Sequence, residues 1–404
     1  MNGVQQVQVS LYVKGFGAAA VQRLWLQRRT LLKNINMKQQ TSATTETLSK
    51  GRTMIDFSGK TIYVGIDVHD KDWQVGQFHG GLVLGNHRIT GNSQDLIDFL
   101  KKRYSGATLK CVYESCAWGF NLQRQLTAAG IECIVVHAGD VPGSDKEKKN
   151  KTDKVDALKL ARDHAAGLLK AIHVPDEELQ KERNLMRFRK KLVGDLTRSK
   201  NRMKSLLKFQ GIKIPEKMDN PNWSNNFITW IEEQAAKDKL LNDTVELMLE
   251  QVKLQRQLLL KAERKIRALM SSKKYAAKSK LLRSVPGVGP TMSTLFLLEV
   301  GDIKRFQGFD PLNNLVGFYP GSNSTGDKNI DTGISKRKHK QLRTMLVEAT
   351  WQAIRQDPAL LDAYEQLTKR MKPNEAIIRI ARKLLRRMRA VLISGVEYQK
   401  GVVK

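Results

Sequence analysis

Two aspartates three residues apart, Asp153 and Asp156, open the apolar-periodic part of the segment KNKTDKVDALKLA. At helical spacing both carboxylates project from one face. Acidic side chains suit the first turn of a helix, where the macrodipole is positive, and the flanking lysines offer charge balance. The other role for such a pair is half of a metal site. Two further carboxylates favour that role. Asp67 ends the β-branched run TIYVGIDV, and Glu114 ends TLKCVYE. Each therefore stands at the C-terminal end of a strand whose pattern marks it as buried. Oxygen donors gathered in this way suit two hard divalent cations, with bound phosphates neutralising the remainder. A single strand-end carboxylate says little, because it also starts turns. The order strand-Asp, strand-Glu, helix-Asp-x-x-Asp is far more specific.

That chemistry requires elements that bring the four together. Thr61–Val68 reads as a central strand, HDKD as a turn, and a second strand runs from Trp73. SQDLIDFLKKRY and GFNLQRQLTAAG read as helices, TLKCVYESC and IECIVVHA as buried strands, and GDVPGSDKEKKNK as a lysine-rich loop before the Asp153 helix. Alternating strands and helices predict an α/β ribonuclease-H-like domain with a mixed sheet over residues 58–175, its carboxylates at one sheet edge. Residues 176–275 are helical almost throughout. Stripes of Leu185, Leu192, Leu196, Met203 and Leu206, then Leu247, Leu254, Leu258 and Ile266, predict an antiparallel coiled-coil arm suited to dimerisation, with Pro215 and Pro221 near its turn. Residues 276–404 form a mainly α third domain. It opens on LLRSVPGVGPTMSTLFLLEVGDI, the outline of a helix-hairpin-helix in which Gly287 and Gly289 let backbone N–H groups approach a phosphate.

The 404 residues carry 70 Lys and Arg against 40 Asp and Glu, a formal net charge of +30. A polyanionic partner, nucleic acid first, is the simplest reason to tolerate that self-repulsion. No apolar run approaches a membrane span. Three cysteines fit neither a disulfide framework nor a zinc motif, which points to a reduced, cytoplasmic setting. Residues 1–57 have no acid before Glu46 and read as a basic arm or as translation begun upstream of Met37 or Met54, ahead of a transit peptide. Backbone contacts to nucleic acid are expected from Lys336, Arg337, Lys338, His339, Lys340 and Arg343, and from Arg379, Arg382, Lys383, Arg386 and Arg387 on the last helix. Trp118 and Phe120 suit core packing better than base stacking. His69 and His137 lack metal-ligand spacing and are assigned secondary roles.

YVGIDVHDKDWQV, CVYESCAWGFNLQRQL and KTDKVDALKLA resemble the three blocks of the DEDD-class insertion-sequence transposases, a family that includes Piv-type invertases and recombinases guided by a bridge RNA. The stretch from LLRSVPGVGP to MLVEATW resembles the same family's C-terminal domain, so the likeness covers roughly residues 61–395. It implies a RuvC-like N-terminal domain, a tetrad on Asp67, Glu114, Asp153 and Asp156 that holds Mg2+, and a C-terminal serine nucleophile. In the family that serine directly precedes a glycine after Gly-x-x-Pro. Here GFYPGSNSTG places Thr325 at that position without gaps and Ser324 one residue before it. Ser324 is preferred for its less crowded hydroxyl, with Thr325 kept beside it. The resemblance further implies DNA as substrate, a bridge RNA as a possible guide, a homo-oligomer (dimer or tetramer) and a bacterial, nucleoid-associated location. Two rivals remain open: a RuvC-like structure-specific nuclease using water, and a non-catalytic nucleic-acid-binding scaffold.

Overall fold

The computed structural model describes residues 56–143, 152–325 and 328–400, with the backbone alone for 320–325 and 328–332. Nearly all of the expected N-terminal arm and the heart of the lysine-rich loop lie outside these residues. The chain divides into two compact units between Val174 and Pro175.

In the first unit, β1 (Thr61–Val68), β2 (Asp72–His79), β3 (Leu82–Thr90), β4 (Thr108–Glu114) and β5 (Glu132–Val136) form one sheet in the order β3-β2-β1-β4-β5. β1–β2 and β2–β3 are antiparallel, whereas β1–β4 and β4–β5 are parallel. This is the mixed, ribonuclease-H-like sheet that the sequence predicts, with β3 as an unforeseen edge strand. β3 escapes notice because its face is half exposed, as at Leu82, and it lacks the buried run that marks β1. On one face of the sheet Ile62, Val64, Ile66, Cys111 and Tyr113 pack with Leu96, Leu100 and Leu126 of helices α1 (Ser93–Arg103) and α2 (Asn121–Ala128). On the other face Val112 and Val136 meet Leu160 of α3 (Asp153–Ala165). The alternation of side chains along each strand makes this three-layer arrangement possible. Phe57, at the end of the expected N-terminal arm, packs edge-on against Tyr104.

The second unit is helical apart from one hairpin. Helices α4 (Glu177–Phe209) and α6 (Lys239–Met270) run antiparallel: Glu182 meets Lys274, Arg189 meets Glu263 and Ser199 meets Gln251, the partner numbers falling as the first rise. Helix α5 (Asn225–Ala235) occupies the region expected to be a turn, and its Phe227 and Ile231 form a distal core with Met203, Leu207, Val245 and Leu249. The stripe predicted on α6 is buried at Ile266 but turned outward at Leu247, Leu254 and Leu258. Leu247 and Leu254 are 68% and 56% exposed, while Val245, Leu249 and Val252, outside the predicted stripe, are buried in their place. The proximal end of α4 belongs to the main core, where Leu179 and Met186 join Leu295, Leu298, Leu346 and Leu384. That core is built from α7 (Ala276–Ser284), α8 (Pro290–Val300), α9 (Asp310–Val316), α10 (Lys340–Gln356), α11 (Pro358–Thr368) and α12 (Pro373–Ser394).

Within this core Glu299 is almost fully buried and accepts from Arg187 Nε and Nη2 at 2.8 and 2.7 Å, with His339 Nε2 at 3.3 Å. Burial pushes its carboxyl up, but His339 and Arg187 outweigh this and hold the pKa at about 2. Arg183 donates to the carbonyls of Leu298 and Glu299 near the C-terminal end of α8, where the helix leaves carbonyls without intrahelical partners.

Candidate active site

The site at the strand ends begins with two glycines. Gly65 of β1 and Gly76 of β2 are direct partners in the ladder. A β-carbon on Gly65 would lie 2.0 Å from the Ala157 carbonyl oxygen, and one on Gly76 2.7 Å from the Leu158 nitrogen. Only glycine lets the backbone of α3 lie this close to the sheet. Ala157 and Ala161 on the contacting face of α3 are themselves small and fully buried. The first turn of α3 is capped by the Thr152 side chain, which accepts from the Val155 N–H at 3.4 Å. That turn carries Asp153 and Asp156 toward the end of β1.

β1 and β4 are parallel with Ile66 opposite Tyr113. Asp67 and Glu114, the next residues along each strand, therefore end up on the same sheet edge. Burial raises the Asp67 carboxyl above its ordinary value; His69 opposes the shift, and the charges of Asp153 and Asp156 reinforce it. His69 Nε2 stands 3.2 Å from Asp67 Oδ2 and 3.7 Å from Asp153 Oδ1. Among the described residues, Asp67, His69 and Asp153 form the group able to hold an ion, their ligand atoms within 4.8 Å of one another. Beside it a cavity of about 450 Å3 is lined by His69, Asp72, Gln74, Asn86, Arg88, Thr152, Asp153 and Lys154. Asn86 Nδ2 donates to the Lys154 carbonyl at 2.8 Å and so ties β3 to the start of α3. Trp118, expected in the core, is 45% exposed, and its Nε1 donates to Asp70 at 3.2 Å. Phe120 does pack against the core. His69, given only a secondary role from the sequence, is the residue that the structure adds to this cluster. A histidine two residues beyond a strand-end aspartate matches no ligand motif, and only the turn geometry reveals the contact.

The candidate hydroxyls lie in the second unit. β6 (Pro320–Thr325) and β7 (Lys328–Ile334) form an antiparallel hairpin, with Ser324 opposite Asn329 and Thr325 opposite Lys328. The two candidates are thus consecutive residues at the end of β6; their side chains lie outside the described residues. The base of the hairpin is firmly built. Gly317 has φ +85°, and a β-carbon there would lie 2.6 Å from the Arg337 carbonyl. Arg343, expected at nucleic acid, instead points inward: it is buried, and its Nη1 donates to the carbonyls of Gly317 and Ser335 at 2.8 and 2.9 Å.

The helix-hairpin-helix is present as α7, a five-residue turn and α8. Its first glycine serves packing, however. Gly287 has φ +78°, a β-carbon there would lie 2.1 Å from the Ala349 carbonyl, and its N–H points to Gln356 Oε1. Gly289 caps α8 and faces open space. Lys336, Arg337, Lys338 and Lys340 are exposed. Arg382 and Arg386 help line a cavity of about 300 Å3 with Arg370, Arg379 and Lys383, and Arg386 lies over the Phe309 ring at 4.5 Å.

The class to which these features belong is that of the DEDD transposases. Residues 64–211 match the transposase family model DEDD_Tnp_IS110, and residues 279–365 match the model described as the transposase IS116/IS110/IS902 family. The chain is 28% identical over 309 residues to a putative transposase, y4qE, of Sinorhizobium fredii, covering 75% of this chain and 74% of the relative. It is 27% identical over 307 residues to the transposase for insertion sequence element IS1533 of Leptospira borgpetersenii (72% and 85%), and 28% identical over 382 residues to the putative transposase y4rJ of S. fredii (85% and 94%). The chain belongs to this family of insertion-sequence transposases. Membership implies DNA as substrate and a divalent metal, and the carboxylate donors at the strand ends suit a hard cation. No described helix is long and apolar enough to cross a membrane.

Proposed function

We propose that this transposase of a bacterial insertion sequence cuts and rejoins DNA with two devices: a hydroxyl on the β6–β7 hairpin, and a divalent cation, Mg2+ in the first instance, held by Asp67, Glu114, Asp153 and Asp156. The observation that carries the reading is the approach of Asp153 to Asp67 across the Gly65–Gly76 seam, at a carboxylate whose surroundings oppose its charge. A bound cation supplies orientation of the scissile phosphate and offsets its developing charge. The Ser324 or Thr325 oxygen attacks phosphorus, one DNA P–O bond breaks, and its oxygen leaves as a free DNA hydroxyl. The resulting protein–DNA phosphodiester keeps the bond energy for rejoining when a DNA hydroxyl attacks in turn. Lys336, Arg337, Lys338, Lys340, Arg382 and Arg386 supply phosphate contacts. The net charge of +30 suits a guide RNA of the kind the resemblance implies as well as DNA. The exposed Leu240, Leu247 and Leu254, at heptad spacing on α6, support self-association through the arm.

The test is to trap the adduct on a nicked suicide substrate and locate the nucleotide-bearing residue by mass spectrometry. We expect it on Ser324, with Ser324→Ala abolishing the adduct and Thr325→Ala retaining it. The reverse pattern would make threonine the nucleophile. Cleavage with an adduct on neither residue would replace this mechanism with a water-using nuclease.

A further inference from the structure

We propose that His69 belongs to the metal site as a nitrogen donor beside Asp67 and Asp153, and that it gives the site a preference for Mn2+ over Mg2+. This rests on the carboxylate reading above. The Nε2 atom is 3.2 Å from Asp67 Oδ2 and 3.7 Å from Asp153 Oδ1. Two ligands at right angles on a cation about 2.1 Å away stand about 3 Å apart, so these separations suit donors to one ion. The backbone of His69 is held in place, because its carbonyl accepts from Trp73 Nε1 at 3.1 Å and Trp73 is 3% exposed. The imidazole itself is half exposed, 51%, and open to a cation arriving from solvent. The short turn between β1 and β2 thus presents a ring nitrogen to the strand-end carboxylate from a fixed point.

The donor set decides the ion. Mg2+ takes oxygen ligands and keeps much of its water, and gains little from imidazole. Mn2+ favours carboxylates and water as Mg2+ does, but as the first member of the first-row transition series it also gains from a nitrogen donor, though less than the later ions do. An imidazole added to the carboxylates therefore moves the preference of the site from Mg2+ toward Mn2+.

The experiment uses the full chain loaded with Mn2+, and reads the spin-echo modulation of the bound ion together with its affinity. We expect modulation from a directly bonded nitrogen and Mn2+ binding at least about tenfold tighter than Mg2+. His69→Ala should remove the modulation and weaken Mn2+ about tenfold or more, since even partners that only hydrogen-bond to a ligand are worth 10–100-fold. His69→Asp keeps a donor at the site and should bind Mn2+ without the modulation, with selectivity moved toward Mg2+. Asp67→Asn separates the two layers of interpretation. If Mn2+ needs Asp67 but shows no nitrogen modulation, and His69→Ala binds it equally well, His69 is a plain hydrogen-bond partner and the inference falls while the carboxylate site stands. If Asp67→Asn leaves Mn2+ binding unchanged, the carboxylate site falls with it.

Discussion

Asp67 stands where the fold works against its charge. Its carboxyl is raised above the ordinary 3.8 by burial and by two neighbouring aspartates. A carboxyl raised in the folded state ionises later than in the unfolded chain, so the fold loses stability as pH climbs from 3.8 through the raised value. Asp67→Asn should therefore raise the melting temperature in EDTA at pH 7. That gain should vanish below pH 3.8, where both states carry the proton. Divalent ions should reverse the ranking, stabilising the wild type alone, and recombination by the variant should be lost. A melt in which the variant gains nothing at pH 7 would show that the site does not disfavour its own charge. The four candidate carboxylates stand out in the sequence because each follows an apolar run or opens a periodic one, and the structure brings two of them, Asp67 and Asp153, within reach of one ion. Other residues do not stand out. Arg343 looks like part of a basic run, and only the carbonyls of Gly317 and Ser335 around it show that it is an internal brace.

Among the elements, α3 matters most, and its position depends on residues without side chains. Gly65→Ala sets a methyl against a backbone oxygen of the helix, a contact that no rotamer change relieves. Overpacking of this kind costs about 1–3 kcal/mol or more. It should appear as a lower urea midpoint together with weaker cation binding, since the helix that lifts away carries Asp153. A variant with unchanged stability and unchanged cation affinity would show that the seam does not set the site. The strands and helices of the first unit were readable from their periodicity, but the glycine seam was not, because a glycine within a strand has the same letter whether it faces solvent or a helix. The stripe on α6 misled for a related reason. Leu247 and Leu254 recur at coiled-coil spacing, yet heptad spacing does not say whether the facing helix is α4 or lies in a second molecule.

At the scale of the whole molecule, those outward leucines predict self-association. Leu247→Gln with Leu254→Gln should shift the protein toward monomer in sedimentation while far-UV circular dichroism is unchanged, since neither side chain supports the internal seam. An unaltered mass distribution would assign assembly to another surface. The arm is also a mechanical part. Helix α4 is unbroken for 33 residues, roughly 50 Å at 1.5 Å per residue. Its near end carries Arg187, clasped to Glu299, which in turn holds His339 at the head of α10 and hence the base of the β6–β7 hairpin. The segment 335–339 that joins β7 to the last of these contacts is braced by Arg343, whose Nη1 donates to the Ser335 carbonyl. Whatever grips the far tip therefore holds the distant end of the same helix whose near end is clasped beside the hairpin bearing Ser324 and Thr325.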